Sequence, residues 1–247
     1  MKAVCKIWML CLATMLFVRC ASNETANSDT VKQSEIYQNY SVSYNNAEKE
    51  LTATASFRFG GANGTTLLLV KPSGVLFENQ EMPNENNVFS GTYYEMNIQT
   101  DLKAGYTFVY TDGDGKTYTN HAVVIPAEIK NCPLQIDKNK GFSVEWDYPL
   151  QNGETINLYI EDKSNNSSFV FNNVVGSKSM KMNTDELKNI TPGEVDIYLV
   201  RSNASALANA THLGGKMTAS YTSRKIEVKL VGQEPKNDEE DTLGNNK

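Results

Sequence analysis

Residues Leu51 to Phe59 read LTATASFRF, in which Leu51, Ala53, Ala55, Phe57 and Phe59 alternate with Thr52, Thr54, Ser56 and Arg58. Successive side chains of a strand point to opposite faces, so this segment has one apolar side to bury and one polar side to leave wet. Working outward, the same period of two recurs over 40–44, 65–71, 76–82, 93–98, 106–111 and 116–125. Between these runs stand Gly60-Gly61-Ala62-Asn63-Gly64, Lys71-Pro72-Ser73-Gly74, Pro83-Asn84 and Asp112-Gly113-Asp114-Gly115, residues that favour turns. About seven strands are therefore expected between Ile36 and Glu128.

A second series begins after Pro126. Phe142, Val144 and Trp146 alternate, followed by Ile156, Leu158 and Ile160, then Phe169 and Phe171, Met180 and Met182, and Val195, Ile197 and Leu199. In the last run, 216–230, the apolar phase changes from Met217, Ala219 and Tyr221 to Ile226, Val228 and Leu230, which predicts a bulge over 222–225. Only TDELKN, 184–189, predicts a helical turn. Seven strands in about a hundred residues is the arithmetic of an Ig-like sandwich, so the expected class is all-β, with two tandem sandwiches over 36–128 and 129–231. In the second, FSVEWDY (142–148) and ITPGEVDIYLVR (190–201) resemble a fibronectin type III domain, with Tyr198 two positions later than that family's corner tyrosine. A weaker echo links the halves: 102–110 and 187–198 each pass from Leu through a Gly turn into an aromatic strand.

The N-terminus carries an export pattern. Lys2 and Lys6 precede Ile7 to Val18, a run of 12 residues in which only Thr14 is polar, and this predicts a signal peptide over 1–19. Such a run is too short to cross a bilayer as a helix, which takes roughly 20 apolar residues. Phe17-Val18-Arg19-Cys20 resembles a lipobox, which implies acylation of Cys20 and a mature chain beginning there; cleavage after Ser22 by an ordinary signal peptidase is the rival reading. With Cys5 and Cys11 removed and Cys20 lipidated, Cys132 has no partner for a disulfide and reads as a small buried hydrophobe. Residues 20–35 are polar and predict a flexible tether, and 232–247, GQEPKNDEEDTLGNNK, predicts a disordered acidic tail.

Charge narrows the partners. From Cys20 onward the chain holds 20 basic and 29 acidic residues, and no Lys/Arg cluster offers a face to phosphates, which argues against nucleic acid. Catalytic patterns are also missing. The sequence has no GxSxG, SxxK, P-loop or HExxH, and His121 and His212 stand in different expected domains, so neither catalysis, a metal nor a cofactor is predicted. Asp112-Gly113-Asp114-Gly115 reads as a hairpin turn, since a calcium loop would need a closing Glu where Val123 stands. Trp146 alternates with Phe142 and Val144 and reads as core.

Three residues are binding candidates. Tyr93 and Tyr94 are adjacent, so one faces in and the other out, and His212 lies in 202–215, expected to be the longest loop of the second domain. The lipobox-like cysteine, polar tether and paired sandwiches together resemble the small envelope lipoproteins of Bacteroidota. That resemblance implies a lipid-anchored, non-catalytic binding or adhesion module at the outer membrane, on its periplasmic or surface face, with a glycan or an envelope protein as partner. A structural subunit joined through strand addition at a sheet edge is the alternative, and a hydrolase the third.

Overall fold

The computed structural model describes residues 24–87 and 90–232. The expected signal, Cys20 and positions 233–247 lie outside the described residues. The first half contributes β1 (Thr25–Asn27), β2 (Ile36–Asn45), β3 (Glu50–Phe59), β4 (Thr65–Leu68), β5 (Gly74–Phe77), β6 (Gln80–Glu81), β7 (Asn84–Asn87), β8 (Gly91–Gln99), β9 (Tyr106–Thr111) and β10 (Thr117–Ala122). The second contributes β11 (Ile129–Asn131), β12 (Gln135–Asp137), β13 (Phe142–Trp146), β14 (Glu154–Asp162), β15 (Ser167–Asn172), β16 (Ser179–Met182), the one-turn helix α1 (Thr184–Leu187), β17 (Gly193–Ala206), β18 (Gly215–Thr222) and β19 (Ile226–Val231). β3 is LTATASFRF with Glu50 added, and Leu51, Ala53, Ala55 and Phe57 are buried as the alternation requires.

The two halves repeat one arrangement. In the first, β2, β3 and β8 lie side by side and pack on a sheet ordered β10-β9-β5-β6; in the second, β11, β13 and β16 pack on β19, β17, β14 and β15. The fold is all-β, two tandem Ig-like sandwiches. Aromatic rings fill the first core, Tyr40 stacking on Phe108 at 4.7 Å and Phe57 meeting Tyr110 at 4.4 Å. Trp146 lies in the second core with Ile156, Leu158, Ile197 and Leu199. The corner tyrosine belongs to the first half: Tyr106 opens β9, and its hydroxyl accepts the Lys103 N–H at 3.0 Å. Tyr198, the position suggested by the fibronectin-like motif, faces outward instead.

The sandwiches share a sheet. β18 runs parallel to β2, from Gly215 opposite Gln38 to Thr222 opposite Asn45, and antiparallel to β17. It thereby joins strands of both halves into one twelve-stranded sheet. Met217, Ala219 and Tyr221 consequently belong to the first core, and the expected division at 128/129 is crossed. Pairing, rather than position along the chain, decides which core a residue enters. The bulge falls at the predicted place: Val200 faces Thr222 and Ile197 faces Ile226, so two residues of β17 span three of the opposing strand. The extra residue returns Ile226, Val228 and Leu230 to the face already held by Met217, Ala219 and Tyr221.

Residues 24–35 correct the expectation of a tether reaching Glu35. β1 pairs in parallel with β4, and Val31 packs against the first core. The Ser28 hydroxyl accepts the Val70 N–H at 2.9 Å, and the Gln33 side-chain oxygen accepts the Gly113 N–H at 2.8 Å. A polar composition suggested solvation, whereas these polar groups are spent on the backbone of the sandwich.

Candidate functional site

The outer face of the shared sheet changes character near its end. On β14, Tyr159 lies opposite Phe169 of β15 and Tyr198 of β17. Its ring stands 5.4 Å from Phe169 and 5.0 Å from Tyr198, the latter pair nearly parallel at 9°. Lys225 enters from the opposite side of β17 and holds its Nζ 5.3 Å from the centre of the Tyr198 ring. The row therefore runs Lys225, Tyr198, Tyr159, Phe169. Cross-strand aromatic pairs of this kind stabilise a sheet by roughly 0.2–1 kcal/mol each. Burial, assisted by the charge of Glu161, raises the Tyr198 hydroxyl above the usual tyrosine value.

The row is unfinished at Phe169. Among the described residues β15 pairs with β14 alone, and beyond it the sheet ends. Phe169 is 56% exposed and Phe171, two residues on and on the same face, is 66% exposed. At the turn before β15 the Asp162 N–H donates to the Asn166 carbonyl at 3.0 Å. Alternation of the antiparallel ladder then directs Ser168, Val170 and Asn172 toward β14, and turns the N–H and C=O of Ser167, Phe169 and Phe171 to the open edge. Val174 and Val175 follow, both exposed. From Ser164 to Ser177 the sequence has no charged residue. Charges border the patch: Lys225 meets Glu161 at 3.0 Å, and Lys163 meets Glu227 at 2.8 Å and Asp196 at 3.4 Å.

The residues singled out from sequence are scattered. Tyr94 is the inward member of its pair: it is buried, its hydroxyl accepts the Leu69 N–H at 2.7 Å, and burial raises it. It lines a cleft of about 250 Å³ with Ser73 and Met82, whose flank carries the Lys71–Glu81 pair at 2.7 Å. Tyr93 is half-exposed, opposite Glu85 of β7. His212 is exposed in the connection from β17 to β18. Two strands, β3 and β2, separate β8 with its tyrosines from β18, so the fold does not assemble the three into one site.

The expected loop 202–215 is also shorter than its composition suggested. β17 continues to Ala206, and the remainder is tied to the first sandwich, where Asn120 donates to the Asn209 carbonyl at 2.7 Å and accepts its N–H at 3.1 Å. Asp112 forms the hairpin turn, accepting the N–H groups of Asp114 and Lys116. Burial pushes the Cys132 thiol up to about 11. Among the described residues no three His, Cys, Asp or Glu side chains are grouped to hold a metal ion. Also among them, no helix is long and apolar enough to cross a membrane.

Phe169 and Phe171 were legible only as a strand. Their alternation resembles that of core pairs, yet it is Val170 between them that packs inward. The available signal was the lack of charge around them, which removes the usual protection of an edge strand.

No protein-family model matches this chain, and no curated protein matches it. Among solved structures it is similar to a 1.5-MDa bacterial ice-binding adhesin studied for host cell surface retention, at 12% identity, over 81% of this chain and 66% of that one, with a TM-score of 0.23. It is also similar to the FN1–FN3 domains of chicken CNTN1, at 10% identity, over 74% and 64% of the two chains, with a TM-score of 0.23. A third is SGBP-B of the Bacteroides ovatus mixed-linkage glucan utilization locus, solved with a mixed-linkage heptasaccharide, at 15% identity, over 83% and 46%, with a TM-score of 0.24. The chain spans less than two thirds of the length of these structures. At such scores the overall superposition is poor, and no detail of fold or function is transferred from them.

Proposed function

We propose that this chain is a lipid-anchored cell-envelope protein acting as a non-catalytic binding or adhesion accessory module, with the outer aromatic end of the shared sheet as its contact face. Cys20 is its acylation site, and a glycan or an envelope protein is its partner at the outer membrane. One observation carries the reading: Phe169 and Phe171 stand more than half exposed on β15, the strand at the end of the shared sheet. Exposed apolar clusters framed by charge are characteristic of contact surfaces. Several acyl chains, each methylene contributing about 0.8 kcal/mol in a bilayer, would hold such a module at the membrane without a spanning helix.

The test applies the full chain to a glycan array and to isolated cell envelopes, beside Phe169→Ser/Phe171→Ser. Retention reduced at least tenfold in the double variant is the expected result; equal retention would remove this face from the function. In cells, Cys20→Ser is expected to shift the protein from the detergent phase to the aqueous phase, and unchanged partitioning would refute the anchor.

A further inference from the structure

We infer that the open edge of β15 pairs with the same edge of a second copy of this chain, antiparallel and about a two-fold axis at Val170. The inference rests on the reading of this end of the sheet as a contact face, and it names the occupant.

Three features select a strand rather than a flat ligand. The faces of Tyr159 are turned to Tyr198 and Phe169, and Tyr198 is covered on its remaining side by Lys225, so the inner rings offer little face for stacking. Phe169 alone has a side directed past the end of the sheet, where the next side chain of a continuing sheet would stand. The N–H and C=O groups of Phe169 and Phe171 point the same way, and a bare row of backbone groups is a template for another strand.

Self-complementarity selects a copy of the same chain. Around Val170 a two-fold axis places Phe169 opposite Phe171 of the other copy, and Phe171 opposite its Phe169. Four phenyl rings then share one face, extending the rows at both sides. In that register 169 and 171 form the hydrogen-bonded pairs and 170 meets 170 as a non-hydrogen-bonded pair, which agrees with the directions of the free backbone groups. Ser164 to Ser177 contains neither charge nor proline, so two copies meet without like-charge repulsion and without a missing donor. Phe169, Val170 and Phe171 from each copy place the contact at the low end of specific interfaces, which gives a dimer that responds to concentration. Confinement to a membrane would raise the effective concentration and favour it.

The test uses the full chain carrying Cys20→Ser, so that no lipid gathers the copies, followed by sedimentation velocity over a hundredfold range of concentration. The expected mass rises from monomer toward dimer. Phe171→Lys places like charges across the axis, and Ser167→Pro removes only an N–H that faces the open edge; both are expected to remain monomeric with an unchanged unfolding midpoint. Val170→Cys brings its α-carbons to about 4.5 Å in this register, within disulfide range, and is expected to give a covalent dimer linked through residue 170 on mild oxidation. A chain that stays monomeric throughout, a dimer indifferent to both edge variants, or a Val170→Cys protein without that link overturns the pairing. If the chain is monomeric yet Phe171→Lys still abolishes retention on glycans or envelopes, self-pairing falls while the binding reading stands; if retention is also unaffected, both fall.

Discussion

Glu154 and Arg201 form an ion pair inside the junction of the two sandwiches, their side chains only 3% and 2% exposed. Arg201 also donates to the carbonyls of Tyr148 and Pro149, at 3.2 and 3.0 Å, and Glu154 accepts the Gln151 N–H at 2.7 Å. The pair thus fastens β17 to the connection between β13 and β14. Arg201→Met would strand a carboxylate away from water, and a loss of about 3–5 kcal/mol is expected in urea denaturation. Combining it with Glu154→Leu removes the stranded charge and should restore much of that loss.

Asp162 makes stability depend on acid. Burial pushes its carboxyl up, but hydrogen bonds from Asn166 and Thr191 outweigh that effect and hold it well below the usual carboxylate range. The unfolded chain therefore takes up this proton first as pH falls. The stabilisation is complete above the unfolded value of about 4 and declines as pH drops toward the folded one. Denaturation midpoints between pH 5 and 2 should fall more gently for Asp162→Asn than for the native protein, and the variant should be less stable at pH 7.

Gly215 allows β18 to approach β2. A Cβ there would lie 2.2 Å from the Gln38 carbonyl oxygen and 2.5 Å from Leu207 Cδ1, so Gly215→Ala must push the strands apart. A cost of about 1–3 kcal/mol is expected from such overpacking. Gly74→Ala is the comparison, since its Cβ would meet only the flexible Lys71 Nζ at 3.9 Å. Thermal melts of the two should differ accordingly.

Cys132 should resist alkylation. With its thiol raised to about 11 by burial, little thiolate exists at pH 8. Peptide mapping after iodoacetamide is expected to find residue 132 unmodified in the folded protein and modified in urea.

Strand content and the core faces were readable because alternation states directly which side is buried. The bulge was readable for the same reason, since its phase change is visible between Tyr221 and Ile226. Three things were not. Nothing in the sequence of β18 tells that Met217 and Tyr221 pack beside Tyr40 rather than Trp146, because pairing partners are set by the tertiary fold. The polar segment 24–35 hid its attachment, which consists of hydrogen bonds to distant backbone groups. At the candidate site, Phe169 and Phe171 obey the same period as core residues, and only the position of β15 at the end of the sheet exposes them.

The parallel seam between β2 and β18 has a mechanical consequence. Tension applied at the N-terminal end meets the pairing of β1 with β4 first; carried on to β2, it would draw that strand along its own axis, so the bonds from Gly215 and Gln38 through Thr222 and Asn45 must slide together instead of parting singly. A molecule tethered in that direction would transmit force into both sandwiches as one body, yielding late and abruptly.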